Sequence, residues 1–226
     1  MKRSVILAFI AIAGLSPTVA LSADPVKPPT PAHRFKAKPF EFIGVAGDCG
    51  AGSPAGEPTV TAAWVTRQGL PDAGKSDHAL LLDKSGPTAN CAAAGASITK
   101  VKGITLTEVG YDVRNDGDCS ANAPRFEIVM SDGLHTVGCA AGLVTETLTD
   151  RHGRTWSRKR WTTADLVNPA LTSPPITSSS GTVLSMAIVF DDGDDAGPES
   201  GQTFLDNIDV NGTLMGKPGL AKGPAQ

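Results

Sequence analysis

The amino-acid sequence predicts an all-β protein, a single β-sandwich of jelly-roll type that contains disulfides. Glycine and proline are abundant, at 25 and 17 of 226 residues, and no long segment repeats its apolar residues with the period of an amphipathic helix. Apolar and polar residues instead alternate over short runs that end in turn-forming residues. Many short strands of this kind are typical of sandwiches and jelly rolls.

The clearest strand is predicted at residues 125–130, where Phe126, Ile128 and Met130 face one way. Residues 182–190 are apolar on both faces, which favours a central strand. Further strands are predicted at residues 41–45, 60–66, 78–83 and 203–210.

Three irregular elements complete the predicted fold. Apolar residues at 104 and 106 and those at 109, 111 and 113 have opposite parity, so a β-bulge is predicted near Thr107 and Glu108. A short helical turn is predicted at residues 162–166. Residues 166–176 contain three prolines and are predicted to form a long crossover loop.

Both ends of the chain are predicted to lie outside the folded domain. Residues 1–23 combine a positive start, a short apolar run and small residues, which is the layout of a cleaved signal peptide. Residues 24–39 are predicted to be a proline-rich linker and residues 214–226 a flexible tail. This leaves residues 40–213 as one β-sandwich domain, secreted or periplasmic, with no membrane span in the mature chain.

The charge of the chain argues against a general nucleic-acid-binding protein. The formal net charge is −3, and loss of the predicted signal peptide leaves 18 basic and 23 acidic residues. Nucleic-acid binders carry a basic excess instead. Charge is nevertheless segregated, because residues 151–160 are basic and residues 191–209 are acidic.

Four cysteines remain in the predicted mature chain, and an even number in an exported protein indicates two disulfides. Cys119 is predicted to pair with Cys139, because residues 124–130 and the run before Cys139 look like two arms of one hairpin. The pair Cys49–Cys91 follows by elimination. A zinc site is excluded by spacing, since the sequence has no CxxC motif or Cys/His cluster.

Seven carboxylates lie between residues 190 and 210. In a regular strand, Asp206 would share a face with Phe204, Ile208 and Val210, while Asp209 would face the other way. A carboxylate on an apolar face is costly unless it is paired, hydrogen-bonded or bound to a metal ion.

Calcium is the predicted cofactor of this acidic stretch. Asp191, Asp192 and Asp194 follow the end of a strand, and Ca²⁺ binds six to eight oxygens from flexible loops. The residue order is not that of an EF-hand. In the alternative interpretation the loop is solvated, and Asp206 is satisfied by backbone N–H groups or by an arginine such as Arg125.

The ending TFLDNIDVNG, residues 203–212, resembles the last strand of secreted β-jelly-roll modules. These include calcium-stabilised carbohydrate-binding modules and their galactose-binding-like relatives. The resemblance implies that Asp206 holds a structural calcium ion. It also implies that Glu41, in the pair Phe40–Glu41 of the first strand, is a second ligand.

A ligand surface is predicted at Trp156, Trp161 and Arg158, in the basic run RHGRTWSRKRW. Exposed Trp rings stack on sugars, and Trp and Arg are enriched at protein contacts. In the alternative interpretation the Trp rings belong to the core and arginine stems pack on them.

The sequence therefore predicts a secreted, non-catalytic binding module whose partner is a glycan or another component of the cell envelope. The first alternative is a structural or protein-interaction domain of the envelope. The second is a glycan-active hydrolase, for which two carboxylates such as Glu127 and Asp112 would be needed. No nucleophile elbow, HExxH motif or phosphate-binding loop is present, and the four histidines are scattered.

Overall fold

The computed structural model describes residues 35–57, 59–72, 76–120, 123–194, 201–216 and 221–222. The predicted signal peptide, the linker up to residue 34, Asp195, Glu199 and most of the predicted tail lie outside these ranges. Within them the strands are β1 (Lys36–Ile43), β2 (Val60–Val65), β3 (Ala79–Lys84), β4 (Ala92–Thr99), β5 (Glu108–Arg114), β6 (Arg125–Met130), β7 (Gly133–Gly138), β8 (Leu143–Thr149), β9 (Thr155–Thr162), β10 (Ser185–Phe190), β11 (Gln202–Val210), β12 (Thr213–Met215) and β13 (Ala221–Lys222). One short helix, α1 (Thr163–Leu166), follows β9.

The strands form two antiparallel sheets, which confirms the predicted all-β sandwich. Sheet 1 has the order β1-β4-β10-β6-β7, so β10 is central as predicted. Sheet 2 has the order β13-β12-β11-β5-β9-β8, and the β2–β3 hairpin joins it because β3 pairs with the first half of β11. The indole N–H of Trp64 in β2 donates to the Ala37 carbonyl of β1 at 3.1 Å, and this bond links the two sheets at one side.

The core lies between the inner faces of the sheets. Phe126 of sheet 1 and Tyr111 and Trp161 of sheet 2 are fully buried and form an aromatic cluster, with ring centroids 5.4 to 6.2 Å apart. The Tyr111 hydroxyl donates to the Pro124 carbonyl at 2.9 Å, and burial raises the pKa of Tyr111. The satisfied hydroxyl lets a polar aromatic residue lie at the centre of the core.

Both predicted disulfides are confirmed. Cys119 pairs with Cys139 at the open end of the β6–β7 hairpin. Cys49 pairs with Cys91, which fixes the loop after β1 against the start of β4.

The predicted crossover loop is also confirmed. It runs from β9 in sheet 2 to β10 in sheet 1, and α1 lies at its start. In this loop Ser173 exchanges two backbone hydrogen bonds with Thr136 of β7, at 2.8 and 2.9 Å. The loop therefore covers part of the edge strand of sheet 1. None of the helices in the described ranges has the length and apolar character needed to cross a membrane.

A β-bulge exists, but in β11 and not near Thr107. Ile104 and Leu106 precede β5, which begins at Glu108, so no bulge is needed there. In β11 the register against β5 shifts between Asp206 and Asp209, and Asn207 has a φ of +44°. The second neighbour of β11 changes at the same place, from β3 to β12.

The predicted face of Asp206 is wrong, and the bulge is the reason. Leu205, Ile208 and Val210 all lie in the main core, whereas Phe204 packs in a second cluster on the outer face of sheet 2. Asp206 therefore shares a face with Phe204 but not with Ile208 and Val210. The prediction assumed an unbroken period of two, and the extra residue of the bulge breaks it.

Other elements also differ from the predictions. Strand β1 begins at Lys36, inside the predicted linker. Strands β4, β8 and β9 were not predicted. Strand β4 is rich in alanine, which has low strand propensity, and β9 carries the basic run that resembles a solvent-exposed loop.

Candidate binding groove

A groove of about 890 Å³ lies on the outer face of sheet 1. Its apolar part comprises Phe40 and Phe42 of β1, Ala93 of β4 and Val189 of β10. The Phe42 side chain is the most open of these, with 42% of its surface exposed. The groove thus offers an aromatic ring at an accessible position.

The small residues of β4 make room for this aromatic wall. Gly95 lies opposite Phe40 in the β1–β4 register, and a Cβ atom at Gly95 would come within 2.4 Å of the Phe40 ring. Ala93 lies opposite Phe42 in the same way. Larger side chains at these two positions would fill the space that the rings occupy.

Arg125 organises the polar side of the groove. Its guanidinium donates to both carboxylate oxygens of Asp191, at 2.6 and 2.9 Å. It also donates from Nε and Nη2 to Glu127, at 3.1 and 2.8 Å. Burial opposes the charge, but these hydrogen bonds and carboxylates raise the pKa of Arg125. The two carboxylates are therefore held in fixed orientations by one cation.

Lys84 fixes the loop that forms the end of the groove. Its side chain is fully buried, and Nζ donates to the carbonyl oxygens of Thr88, Asn90 and Asp191 at 3.0, 2.7 and 2.8 Å. These bonds join residues 88–90 to the end of β10. The role of Lys84 is thus to hold the wall of the groove.

Asn90 presents an unsatisfied donor in this wall. Its Oδ1 accepts from the Glu57 N–H at 2.9 Å, which fixes the orientation of the amide. Its Nδ2 is buried and has no hydrogen-bond partner among the described residues, and the residue is only 6% exposed. Ser53 is less buried as a residue, but its Oγ atom, which also lines the groove, is likewise buried without a hydrogen-bond partner among the described residues. A buried polar group without a partner costs about 1–3 kcal/mol.

The predicted calcium ligands do not converge. Glu41, Asp191 and Asp192 line the groove, where Asp191 binds Arg125 and Asp192 accepts from the Ser120 hydroxyl. Asp194 lies beside the groove wall and donates its N–H to the Gly86 carbonyl at 3.0 Å. No three His, Cys, Asp or Glu side chains in the part of the chain that the structure describes are grouped to hold a metal ion.

Asp206, the main predicted ligand, lies on the outer face of the other sheet. Its two oxygens accept from the N–H groups of Leu70 and Asn207, at 2.9 and 2.7 Å. The alternative interpretation, that backbone N–H groups satisfy Asp206, is therefore confirmed. Asp206 therefore lies apart from Glu41, which is in β1 of sheet 1, and the two carboxylates are not placed to bind one calcium ion.

The prediction that Trp156 and Trp161 form an exposed ligand surface is wrong, because both side chains are buried. Trp156 and Trp161 are both 0% exposed, so neither presents a ring face to a ligand. Their positions differ by five in one strand, and they therefore lie on opposite faces. Trp161 belongs to the main core, and Trp156 packs with Phe204 in the outer cluster. The alternative interpretation of these residues is confirmed.

The basic residues of β9 belong to an ion-pair network on sheet 2. Arg158 donates to both oxygens of Asp112 in β5, at 2.9 and 3.1 Å, and also binds Glu146 of β8. Arg160 lies 3.3 Å from Asp209. Burial raises the pKa of Asp209 to about 6 despite Arg160. Arg158 is thus engaged by protein carboxylates.

The structure separates the two carboxylates considered for a hydrolase. Glu127 faces outward from sheet 1, at the groove. Asp112 faces outward from sheet 2, where Arg158 binds it. The two therefore lie on opposite sides of the sandwich and cannot act on one glycosidic bond.

A serine, a histidine and an aspartate also meet near β7, but not in a nucleophile–base arrangement. The Ser180 hydroxyl donates to Asp132 at 2.6 Å, and His135 Nε2 lies 2.8 Å from the other Asp132 oxygen. His135 Nδ1 faces the Pro174 carbonyl at 2.8 Å. No nitrogen of the histidine is thus placed to activate the serine.

No protein-family model, curated protein or solved structure matches this chain.

Of the groove residues that matter most, Phe42, Ser53 and Asn90 were not singled out from the sequence, and Arg125 was named only as a partner for Asp206. These four residues come from four separate segments, and no local motif links them. The only signal was the predicted disulfide, because Cys49 and Cys91 bring the segments of Ser53 and Asn90 together.

Proposed function

We propose that this protein is a secreted, non-catalytic binding module that holds a carbohydrate in the groove of sheet 1. The observation that carries the proposal is the buried Nδ2 of Asn90, a donor without a partner among the described residues. It lies in a groove that also offers an exposed aromatic ring, Phe42. Ligand sites combine apolar walls with a few well-placed polar groups of this kind.

Sugars have the chemistry that such a groove needs. A hydroxyl oxygen accepts a hydrogen bond from Asn90, and another hydroxyl pairs with Ser53 Oγ. The C–H face of the ring packs on Phe42, whose surface is apolar. The fixed carboxylate of Glu127 accepts hydrogen bonds from further hydroxyls.

The secreted part of the proposal is supported by the two disulfides. Disulfides persist in oxidising compartments and are rare in the cytosol of most organisms. The resemblance of residues 203–212 to the last strand of carbohydrate-binding modules points in the same direction, although its predicted calcium pair, Asp206 and Glu41, lies apart.

The test is a glycan array followed by calorimetry with the oxidised mature protein. The Phe42→Ala and Asn90→Asp variants are expected to weaken binding at least about tenfold, since one lost contact of this kind is worth about 1–2 kcal/mol. Asn90→Asp keeps the acceptor for Glu57 but removes the Nδ2 donor. Leu143→Ala is the matched control, because Leu143 is an exposed apolar residue of β8 in the other sheet. Absence of binding to any glycan would overturn the proposal.

A second candidate is a protein-interaction domain, which one observation favours. Phe42 and Ile43 at the end of β1 and Val45 just after it are exposed apolar residues, and β1 is an edge strand of sheet 1. Exposed apolar patches beside an open edge are typical of protein contacts. Ile43→Ser and Val45→Ser would abolish such a contact but leave glycan binding in the groove unchanged.

A further inference from the structure

The groove on sheet 1 has an excess of negative charge. The charged residues that face it comprise three carboxylates and two cations, namely Glu127, Asp191, Asp192, Arg125 and Lys84. Glu41 also borders the groove, but its side chain points away from the face that Phe40 and Phe42 occupy, and its Oε1 accepts from the Ala62 N–H at 3.2 Å.

Both cations are already engaged by the protein. Nζ of the buried Lys84 donates to three carbonyl oxygens. The Arg125 guanidinium forms two hydrogen bonds to Asp191 and two more to Glu127. An anionic ligand, such as a uronate or a sulfated sugar, would have to displace these partners and would meet like charges.

A second and independent observation marks the groove as a ligand site. Asn90 is more than nine-tenths buried, and its Nδ2 donor has no partner in the described ranges. The amide needs an acceptor oxygen, whereas the carboxylates favour a positive charge. A single ligand that meets both needs carries hydroxyl groups and an ammonium group.

We propose that the groove selects an amine-bearing glycan, such as a chain of unacetylated amino sugars, over neutral and anionic glycans. This inference rests on the proposed carbohydrate-binding function. The ammonium group would lie beside Glu127 and Asp192, and a hydroxyl oxygen would accept from Asn90. Charge attraction at a surface groove is screened by salt, so the preference should fall as ionic strength rises.

The experiment compares three probes of equal length by calorimetry: glucosamine oligomers, N-acetylglucosamine oligomers and uronate oligomers. Below neutral pH and at low salt, the glucosamine oligomers are expected to bind about tenfold more tightly than the acetylated ones. Addition of 0.5 M salt, about three times the physiological ionic strength, is expected to remove most of this difference. Uronate oligomers are expected not to bind.

Asp192→Asn is the informative variant, because it removes one groove charge without touching Arg125. It is expected to reduce several-fold the ratio of the affinity for glucosamine oligomers to the affinity for N-acetylglucosamine oligomers. Glu146→Gln is the matched control, since Glu146 is a carboxylate of β8 on the other sheet. Melting curves of both variants verify that they are folded.

The failures of the two proposals are distinguishable. Equal binding of glucosamine and N-acetylglucosamine oligomers, or tighter binding of uronates, would overturn the charge inference and leave the glycan-binding function in place. If no oligomer binds and the glycan array is also empty, both proposals are overturned.

Discussion

The two outer faces of the sandwich both carry charged residues, but they differ in how deeply those residues are buried, and we call the face of sheet 2 the closed face and that of sheet 1 the open face. Unsatisfied buried atoms occur on both, since Asn207 Oδ1 and Asp209 Oδ1 of sheet 2 also lack a hydrogen-bond partner among the described residues. On sheet 2 the Asp112 carboxylate is 0% exposed and accepts from Arg158 and from the Asn207 side chain. On sheet 1 the Asp191 side chain is 38% exposed beside Arg125, and the buried Asn90 amide nearby lacks a partner among the described residues.

Strand register explains the closed face. Asp112, Arg158 and Glu146 lie opposite one another in three neighbouring strands. Opposite charges that face each other across strands stabilise a sheet. What distinguishes the candidate site is that two of its unsatisfied buried groups, those of Asn90 and Ser53, line a groove.

The largest expected effect comes from breaking the closed face. Asp112→Ala should lower the free energy of unfolding by about 3 kcal/mol or more, because it leaves two partly buried arginines, Arg158 and Arg160, without their shared partner. Asp191→Ala on the open face should cost about 1 kcal/mol or less, since exposed pairs contribute little. Urea denaturation of both variants measures the difference. Equal losses would show that the two faces do not differ in this way.

A smaller effect is expected within β11. Asp206→Ala should cost about 2 kcal/mol, because two buried backbone donors, those of Leu70 and Asn207, lose their acceptor. Asp209→Ala should cost less, since burial already disfavours the charge of Asp209. The measurement is the melting temperature of each variant at pH 7. Identical melting temperatures would contradict the assigned partners of Asp206.

Much of the fold could be predicted because its signals are local. The β6–β7 hairpin, the central β10 and the short α1 follow from apolar periodicity and turn residues. The disulfide Cys119–Cys139 followed from the hairpin, and the other pair by elimination. Strand β9 was missed because its arginines resemble a solvated loop, whereas Arg158 and Arg160 both have a carboxylate partner, Asp112, in the neighbouring strand β5.

The site was harder to predict because it depends on distant segments. Asp206 was assigned to the core face by parity, and a single residue with positive φ, Asn207, moved it to the outer face. Trp156 and Trp161 looked alike in the sequence, yet they pack in different clusters. Asn90 became noteworthy only because the structure shows which of its amide atoms is satisfied.

The stability of the protein should depend on pH through one carboxyl group near each face. Burial raises the pKa of Asp209 to about 6, and burial together with Asp192 raises the pKa of Asp118 to about 6. Between about pH 4 and 6 the folded state therefore binds more protons than the unfolded state. The free energy of unfolding should fall as pH rises through this window, by at most about 1.4 kcal/mol per pH unit for each group.

Asparagine variants separate the two groups. Asp209→Asn, on the closed face, and Asp118→Asn, near Asp192 of the groove, should each flatten the decline between about pH 4 and 6. Each should therefore be more stabilising, or less destabilising, at pH 7 than at pH 4. Asp150→Asn is the opposite control. Burial alone would raise the pKa of Asp150, but hydrogen bonds from Trp156, Arg154 and His152 outweigh it and lower the pKa. The ionised Asp150 therefore stabilises the folded state, and this stabilisation is lost as pH falls below about 4.

The smallest expected effect is that of calcium, the cofactor predicted from the sequence. The carboxylates Asp191, Asp206 and Asp209 each have a protein partner, and a ligand stabilises the folded state only in proportion to its binding. We expect the melting temperature in calcium and in EDTA to differ by less than about 1 °C. A larger rise that Asp192→Asn abolishes and Asp206→Asn preserves would place an ion at the open face and restore the sequence-based prediction there. A rise that depends on Asp206 would instead mean that the closed face opens to bind an ion, and the contrast between the two faces would fail.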